Sequence, residues 1–361
     1  MKNILVLNLG ATSTKIAFYG DDNLVAKHNI EHVEQDLKKY QSPGEQLDYR
    51  KEMVLSWMEK IGRNIDEVNA FAIRGGRVKR PTVGGTYIVN ETFKQEQLAN
   101  FDPNGNLVHA GRMTLPLVYA LADGRDIPIY FTDPATIDEL VPEARLAGHP
   151  DFHRAPVFHA LNQREVARRV AHNELGKSYE ACNMVIAHMG GGVSVAAHQK
   201  GIVIDADDCT RGGGPFSPTR SGTLPMVQLV EACYSGKHSK DEVVSMIMGK
   251  GGVFAYLGTD DMREVERRIK EGDEKARLVF EAMAYQTAKE IGAYAAVLCG
   301  EVDAIVATGG IAHSERMTGL IRKRVGRFAP FFVYPGEYES EALAAGALRV
   351  LRGEEQPKTY A

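Results

Sequence analysis

Residues 3–15, NILVLNLGATSTK, join a short apolar run to a turn of small hydroxylated residues. The apolar side chains at 4–7 are mostly branched, which favours a buried β-strand. Apolar residues resume at 16–19, so the segment predicts a β-hairpin. Its turn offers Gly10, several hydroxyl groups and the ammonium of Lys15, and such donors suit a phosphate. An ordinary glycine-containing hairpin explains this stretch equally well, so the rest of the chain has to decide between the two.

The pattern returns 180 residues later, at 183–190, NMVIAHMG. The leading asparagine, the apolar run and the glycine recur at matched positions, and Asn8 corresponds to His188. A glycine-rich turn at 190–192 is again followed by a strand pattern. Because this period is far too long for a solenoid repeat, it predicts a duplicated domain. We therefore expect two similar halves with a cleft between them.

Composition excludes several classes of protein. The 361 residues carry a formal net charge of −4, which gives no electrostatic case for a nucleic-acid or anionic-membrane partner. The four cysteines are widely separated and have no metal-ligand spacing, which is typical of reduced thiols in a cytoplasmic protein. The opening run is interrupted by Asn8 and Gly10, unlike a signal peptide or a membrane span.

Strand and helix patterns alternate throughout, so the predicted class is α/β. We expect one domain to comprise residues 1–155 with 342–361 and the other to comprise residues 156–341. Residues 157–172 predict an amphipathic helix that exposes Arg164, Arg168 and Arg169 to solvent.

Three glycine-rich turns come after three strand patterns in this order: NLGATSTK (8–15), HMGGGVS (188–194) and ATGGIA (307–312). Together they resemble the two phosphate loops and the adenosine loop of the ASKHA superfamily, which includes acetate and sugar kinases, actin and heat-shock chaperones. The resemblance implies a ribonuclease H-like fold in each half. Glycine in the third turn lets a nucleoside lie flat against the backbone.

Longer motifs are similar to the butyrate kinase branch of the acetate kinase family. They are FHALNQREVARR (158–169), IAHMGGGVSVAAH (186–198), GPFSPTRSGTLP (214–225), RGG from Arg74, GGTYIVNE (84–91) and SEALAAGALRV (340–350). The resemblance implies transfer of the γ-phosphoryl group of ATP, with Mg²⁺, to a short fatty acid to give an acyl phosphate, and the reverse reaction. A carboxylate attacks phosphorus directly, so the protein has to align two anions, neutralise charge and exclude water.

Four residues are expected to act in the transfer by this resemblance. Arg220 corresponds to an arginine on the phosphoryl group and the carboxylate, and its planar donors suit both. Arg74 corresponds to a second arginine, although that of acetate kinase lies a few residues earlier. His159 corresponds to a histidine that donates to the phosphoryl group, with a helix cap as the alternative. Asp133 corresponds to an aspartate in the cleft, with an Asp-Pro turn as the alternative.

The resemblance also implies ligand sites. Residues expected at ATP and its phosphates are Asn8, Thr12, Ser13, Lys15, His188, Gly190, Gly191, Gly192, Asp261, Arg263, Gly309, Gly310 and Ile311. Asp261 is equally a helix N-cap candidate, and Ala11 replaces a serine of the acetate kinase pattern. For Mg²⁺ the family match gives Glu341, Asn8 and Asp133, since this cation prefers oxygen ligands. For the acid, His109 is matched to a family histidine near the substrate, with an ordinary histidine at a helix start as the alternative. Val108 and Phe158 are candidates for contact with the alkyl tail and equally for the core.

Alternatives of the same fold are kinases of acetate or branched acids, and a sugar kinase, which would need an aspartate base such as Asp133. A protein of another class, actin-like or chaperone-like, would use ATP as a conformational switch. A homo-oligomer is expected from the family resemblance alone.

Overall fold

The computed structural model describes residues 1–9, 13–32, 39–40, 42–75, 78–79, 82–99, 101–105 and 110–361. The chain divides into unit 1, Met1–Ala135 with Tyr338–Ala361, and unit 2, Thr136–Glu337. These boundaries differ from the expected 155/156 and 341/342 because the segment after Ala135 bonds to a strand of unit 2. The N–H of Val141 donates to the carbonyl of Ile204 at 3.0 Å.

The strands of the described residues closely match the apolar runs of the sequence. They are β1 (Asn3–Leu9), β2 (Ser13–Gly20), β3 (Asn23–Glu31), β4 (Ala70–Ile73), β5 (Thr86–Ile88), β6 (Ile129–Thr132), β7 (Asn183–Met189), β8 (Val193–Gln199), β9 (Ile202–Ala206), β10 (Ala304–Gly309), β11 (Phe331–Pro335) and β12 (Lys358–Thr359).

The α-helices lie between these strands. They are α1 (Pro43–Lys60), α2 (Glu91–Leu98), α3 (Thr114–Ala122), α4 (Pro142–Arg145), α5 (Ala160–Asn173), α6 (Met226–Tyr234), α7 (Lys240–Ile247), α8 (Gly252–Leu257), α9 (Met262–Lys270), α10 (Glu274–Val297), α11 (Glu315–Val325) and α12 (Glu339–Leu351). Short 3₁₀ turns occupy Ile65–Glu67, Ala110–Met113, Tyr179–Ala181 and Gly310–His313. Among the described helices, none combines the length and the apolar character that crossing a lipid bilayer requires.

Unit 1 contains a seven-stranded sheet in the order β12-β5-β6-β4-β1-β2-β3. The predicted hairpin is confirmed, because β1 pairs antiparallel with β2 from Asn3↔Gly20 to Leu9↔Thr14. Strand β4 runs parallel to β1, so the two strands end at the same edge of the sheet. Every residue of β1 is buried, as the branched apolar run predicts. The residues at the ends of β1 and β4 are therefore presented together at this edge.

Unit 2 repeats this arrangement in a five-stranded sheet, β11-β10-β7-β8-β9. Strands β7 and β8 form an antiparallel hairpin, and β10 runs parallel to β7 with Thr308 opposite His188. The long helix α10 packs against β8 and β7, and its buried residues, including Phe280 and Ile291, join the apolar core of the unit. The duplication predicted from the 180-residue offset is thus present in the strand order of the two units.

The first residue of each copy makes the same hydrogen bonds. Asn3 donates its backbone N–H to Oδ1 of Asn69 (2.7 Å) and its side-chain amide to the carbonyl of Glu67 (3.0 Å). Asn183 donates its backbone N–H to Oδ2 of Asp303 (2.8 Å) and its side-chain amide to the backbone carbonyl of Glu301 (3.0 Å). In each unit this asparagine fixes the first strand to the segment that leads into its parallel neighbour.

Candidate active site

The glycine-rich turn after β7 lies against the predicted catalytic arginine. The hydroxyl groups of Ser217 and Thr219 both donate to the carbonyl of Gly191, at 2.8 and 3.0 Å. The guanidinium of Arg220 lies so close to Gly192 that a Cβ atom there would collide with it. Glycine is therefore required at 192 for Arg220 to occupy this position. The two motifs that the sequence predicted separately form one structural feature.

Arg220 is held in place by Cys209. Its Nη1 donates to the carbonyl oxygen of Cys209 at 3.0 Å and lies 3.2 Å from the sulfur atom. Burial raises the pKa of the Cys209 thiol to about 11, so the thiol stays protonated near neutral pH. This contact therefore orients the guanidinium without neutralising its charge, which suits an arginine that binds a phosphoryl group.

Two predicted histidines form a stacked pair beside the same turn. The rings of His159 and His188 are nearly parallel, with centroids 3.8 Å apart. The amide nitrogen of Asn162 donates to Nδ1 of His188 (2.9 Å) and to the hydroxyl of Thr308 (3.1 Å). Because Nδ1 accepts a hydrogen bond, the proton of the neutral His188 ring lies on Nε2. That atom faces Gly190, where a Cβ would lie 3.3 Å from it.

A cleft of about 1100 Å³ opens beside this turn within unit 2. Six of the residues predicted to contact ATP line it: Gly190, Gly191, Asp261, Arg263, Gly310 and Ile311. The structure thus brings the turn at 190–192, the turn at 307–312 and the start of α9 to one cavity. Glu266, Arg267 and Lys270 also line it and were not predicted. Their helical spacing from Arg263 was the available signal, since such residues share one face of a helix.

The residues expected near adenosine have defined local hydrogen bonds and backbone geometry. Asp261 is the N-cap of α9 and accepts the backbone N–H of Arg263 at 2.9 Å. Hydrogen bonds from Arg263 lower the pKa of Asp261 to about 2. The N-cap alternative is therefore realised in the structure, and it places both residues at the cleft. Gly309 has φ +87°, and a Cβ there would collide with the backbone of Met189.

In unit 1, the ends of β1 and β4 meet at a carboxylate that the sequence analysis missed. Oε2 of Glu339 accepts the amide N–H of Asn8 at 2.8 Å, and Oε1 lies 3.2 Å from Nη2 of Arg74. Glu341, the predicted metal-side residue, instead lies 3.7 Å from Nζ of Lys27. Among these residues, Glu339 is thus the carboxylate that joins the two expected site residues.

The remaining residues of unit 1 surround this edge. Lys15 is the register partner of Asn8 in the hairpin, so both side chains project from the same face of the sheet. The carbonyl of Ser13 is 3.4 Å from Nη1 of the buried Arg50. Asp133 is buried, has φ +43° and accepts the N–H of Gly85 at 2.8 Å. Its place after β6 agrees with the turn alternative and leaves a role at the site as a prediction.

Three predicted residues, Thr12, Val108 and His109, lie outside the described residues. Phe158 is buried in an apolar cluster with Ile137 and Ala196. This is the core alternative that the sequence left open, and contact with an acyl chain stays a prediction.

The donor chemistry of unit 1 suits Mg²⁺. Asn8 and Glu339 offer amide and carboxylate oxygens, the ligand type that this cation prefers, usually with several water molecules retained. Within the described ranges, no three His, Cys, Asp or Glu side chains are grouped as a protein-only metal cage would require. The residues therefore fit a metal held by few protein ligands.

The chain is similar to known proteins in part of its sequence and in its fold. Residues 154–327 match the model of the acetokinase family. The structure is similar to acetate kinase from Porphyromonas gingivalis, with a TM-score of 0.80 at 20% identity, covering 97% of this chain and 100% of that one. It is also similar to a propionate kinase from Francisella tularensis subsp. tularensis SCHU S4 (TM-score 0.71, 19% identity, coverage 96% and 99%). A third similar structure is acetate kinase from Entamoeba histolytica (TM-score 0.74, 14% identity, coverage 96% and 98%).

These structural matches extend over nearly the whole chain, whereas the family match lies entirely within unit 2. The chain therefore has the two-domain α/β fold seen in the acetate kinases, and its residues 154–327 match the acetokinase family model.

Proposed function

We propose that this protein is an ATP-dependent carboxylate kinase that interconverts butyrate and butyryl phosphate. The observation that carries the proposal is the packing of Arg220 against the glycine turn 190–192, next to the His159–His188 pair. These groups are hydrogen-bond donors and a cation, which stabilise the charge of a transferring phosphoryl group. A carboxylate acceptor is already anionic, so the reaction needs charge stabilisation and alignment and no general base.

In unit 2 we assign the cleft that contains Asp261 and Gly310 to the nucleotide. The glycine turn 190–192 would bind its phosphates through backbone N–H groups. Arg220 and His159 would then contact the transferring phosphoryl group, with His188 on the phosphate chain. In this assignment the protein contributes alignment and electrostatic stabilisation, and the substrate carboxylate is the nucleophile.

In unit 1 we assign Asn8 and Glu339 to the metal side, with Asp133 as a further candidate. When bound, Mg²⁺ would neutralise phosphate charge. We assign Arg74 to an anionic substrate group, because Glu339 orients its guanidinium while almost half of the side chain stays exposed. Lys15 and Ser13 complete the expected phosphate contacts of the first turn.

The acid itself is the finer part of the proposal. The motifs at 158–169 and 214–225 resemble the butyrate kinase branch, whereas the similar solved structures are an acetate and a propionate kinase by name. Acetate or propionate is therefore the second candidate, and branched acids are the third. One methylene is worth only about 1–3 kcal/mol in an apolar pocket, so neighbouring acids should be substrates too.

A hydroxylamine trap tests the proposal directly. Purified protein with ATP and Mg²⁺ would be offered acetate, propionate, butyrate, isobutyrate and isovalerate, and acyl phosphate would be measured as hydroxamate. We expect formation to peak at butyrate and to require ATP. A peak at acetate, propionate or a branched acid would retain the kinase and correct the substrate.

Controls separate the carboxylate kinase from other ATP-binding proteins of this fold. Protein that binds ATP but forms no hydroxamate with any of the five acids would contradict the proposal. ADP release stimulated by a sugar would then favour a sugar kinase. A nucleotide-dependent conformational change without turnover would favour a switch protein.

We also propose that the protein is a homo-oligomer, as the family resemblance implies, and that it is cytoplasmic, as its widely separated cysteines indicate. Helix α6 has no buried residue, and Met226, Val227 and Tyr234 are among its exposed apolar side chains, which a second copy could cover. Light scattering coupled to size exclusion should give at least twice the mass of one chain, and Tyr234→Asp should reduce it. A single-chain mass for the unmodified protein would contradict this.

A further inference from the structure

The motifs around His159 and His188 contain buried polar residues that the proposed function does not use. Ser194 and His198 lie on one face of β8, Gln163 lies on α5 and Tyr179 lies in the 3₁₀ turn before β7. The first three have no exposed surface and Tyr179 is 3% exposed. Since burying polar groups is costly unless they are hydrogen-bonded, their mutual contacts require a detailed account.

These residues form one continuous chain of hydrogen bonds that ends at His159. The hydroxyl of Tyr179 is 2.8 Å from Nδ1 of His198, and Nε2 of His198 is 3.1 Å from Oε1 of Gln163. Nε2 of Gln163 is 3.1 Å from the hydroxyl of Ser194, which is 2.8 Å from Nδ1 of His159. Five side chains are thus linked in series: they come from the 3₁₀ turn, β8 and α5, and from His159, which directly precedes α5.

The carbonyl oxygen of Ser194 determines the direction of this chain. A carbonyl oxygen can only accept, and it lies 3.1 Å from the side-chain amide of Gln163. The nitrogen of that amide must therefore face Ser194, and its oxygen must face His198. An amide oxygen can only accept, so Nε2 of His198 carries a proton. In the neutral ring Nδ1 is then an acceptor, and the hydroxyl of Tyr179 donates to it.

The same reasoning fixes the proton on His159. The hydroxyl oxygen of Ser194 receives the amide of Gln163 at 3.1 Å and the backbone N–H of His159 at 3.4 Å. Both of its lone pairs are then used, so its own proton points to Nδ1 of His159. The neutral ring of His159 consequently carries its proton on Nε2. All donors in the chain point from Tyr179 towards His159.

We propose that Ser194, Gln163, His198 and Tyr179 are positioning residues that hold His159 as the Nε2–H tautomer. This proposal rests on the proposed function, in which His159 donates a hydrogen bond to the transferring phosphoryl group. The opposite tautomer would present a lone pair to an anion, so a fixed tautomer keeps the donor in place before the substrate binds. With Nε2–H of His188, set by Asn162, the stacked pair then offers two N–H donors of the same kind.

The tautomer can be measured without substrate. Long-range ¹H–¹⁵N correlation spectra of ring-labelled histidine distinguish Nδ1–H from Nε2–H, and the His159 signal is assigned by its loss in His159→Gln. We expect the Nε2–H pattern in the wild-type protein, and a mixed or Nδ1–H pattern in Ser194→Ala. An Nδ1–H pattern in the wild-type protein would overturn the proposal.

Kinetics provide the second readout. In the hydroxamate assay we expect Ser194→Ala to lower kcat by about ten- to a hundredfold, the range known for residues that orient metal-binding histidines, with the KM for acid and for ATP nearly unchanged. Tyr179→Phe, at the far end of the chain, should lower kcat less and retain the fold. Ser235→Ala and Tyr256→Phe change the same groups at exposed positions and should match the wild-type protein.

The outcomes separate a positioning role from a structural one. If Ser194→Ala lowers kcat while the tautomer stays Nε2–H, or alters neither, the proposal is wrong. If Ser194→Ala does not fold, Tyr179→Phe decides: unchanged tautomer populations and unchanged kcat would overturn the proposal. If the wild-type protein forms no hydroxamate, the proposed function fails. The spectra still test whether the hydrogen-bonded residues fix the tautomer of His159.

Discussion

The two units repeat one scaffold and differ in the residues that end its first strand. In both units a β-hairpin pairs with a third strand on one side and a parallel strand on the other. Asn3 and Asn183 fix the first strand by the same two kinds of hydrogen bond. At the matched positions 8 and 188 the units diverge. Asn8 donates to the carboxylate of Glu339, whereas His188 stacks on His159.

This difference shows where the side-chain chemistry of the two units diverges. Unit 1 gathers a carboxylate, an amide and a partly exposed arginine, which suit a metal and an anionic acid. Unit 2 gathers imidazoles, an arginine and backbone N–H groups, which suit phosphates. Five strands in the same order and the hydrogen bonds of Asn3 and Asn183 are common to both units, so these two sets of groups differ at the ends of corresponding strands. Substitutions in each unit test this division, and the largest effect is expected at the phosphate side of unit 2.

Arg220 should matter most, because its guanidinium lies directly against the glycine turn of unit 2. We expect Arg220→Ala to lower kcat by about 10²–10³-fold, the usual loss for a donor at developing charge. Arg74→Ala should cost less, since that side chain is 48% exposed and paired with Glu339. Arg211→Ala, at an exposed arginine nearby, is the matched control in the hydroxamate assay. Equal losses in the two site variants would break the division between the units.

Glu339 tests the metal-side assignment of unit 1. We expect Glu339→Gln to raise the Mg²⁺ concentration for half-maximal activity by about tenfold or more, a typical cost of altering a metal site. Glu341→Gln should change it little, because that carboxylate lies near Lys27 instead. Titration of activity with Mg²⁺ at saturating ATP gives both values. A larger rise in this Mg²⁺ concentration for Glu341→Gln than for Glu339→Gln would indicate that Glu341, the residue expected from the sequence, lies on the metal side.

The sequence identified most strands and helices because their signals are local. The run at residues 4–7 and its copy at 184–187 are apolar and bounded by polar residues, so both hairpins could be predicted. The three glycine turns were identified from their order after strands. Two of them line the same cleft in unit 2 with Asp261, as expected for one nucleotide site.

Long-range partners could not be predicted in the same way. Glu339 and Glu341 lie two positions apart on α12, about 200° around a helix axis, so only the packing of that helix decides which one contacts Asn8. Arg164 was expected on a solvent-exposed face, and this prediction is wrong. Its side chain is buried 3.2 Å from Glu139, a residue 25 positions away. The hydrogen-bonded series from Tyr179 to His159 was missed for the same reason, because residues that are neighbours in this series are far apart in the sequence.

Substitutions of Asn3 and Asn183 test whether the hydrogen bonds common to the two units contribute equally to stability. Asn3→Ala and Asn183→Ala each remove a side chain that donates to a backbone carbonyl, and leave that partly buried carbonyl unpaired. We expect each to lower the free energy of unfolding by about 1–3 kcal/mol, with similar values in the two units. Calorimetric unfolding measures this, and Asn173→Ala, at an exposed asparagine, is the control. A loss in one variant alone would show that the repeated contacts are not equivalent.

The last comparison concerns the residue that comes directly after the third strand in each unit. Burial, with Arg50 nearby, lowers the pKa of His32 to about 4. Burial, and to a smaller extent the negative charge of Glu290, raises the pKa of Asp207 well above its ordinary value of 3.8. Both side chains are therefore neutral over a shared pH range. Their effects on stability run in opposite directions with pH, because the same position of the fold holds a buried base in unit 1 and a buried acid in unit 2.

The direction of each stability change is set by proton linkage. The unfolded chain protonates His32 near pH 6.5 and the folded chain only near pH 4, so unit 1 loses stability as pH falls through this window. The unfolded chain ionises Asp207 near pH 3.8 and the folded chain at a higher pH, so unit 2 loses stability as pH rises through that window. One such group contributes at most about 1.4 kcal/mol per pH unit. Thermal unfolding as a function of pH should show that His32→Gln reduces the loss of stability below pH 6.5 and that Asp207→Asn reduces the loss above pH 3.8, with Asp151→Asn as an exposed control. Parallel profiles for all four proteins would show that these two buried groups do not distinguish the units, whereas opposite changes would show that each unit carries its own pH dependence at one shared position of the fold.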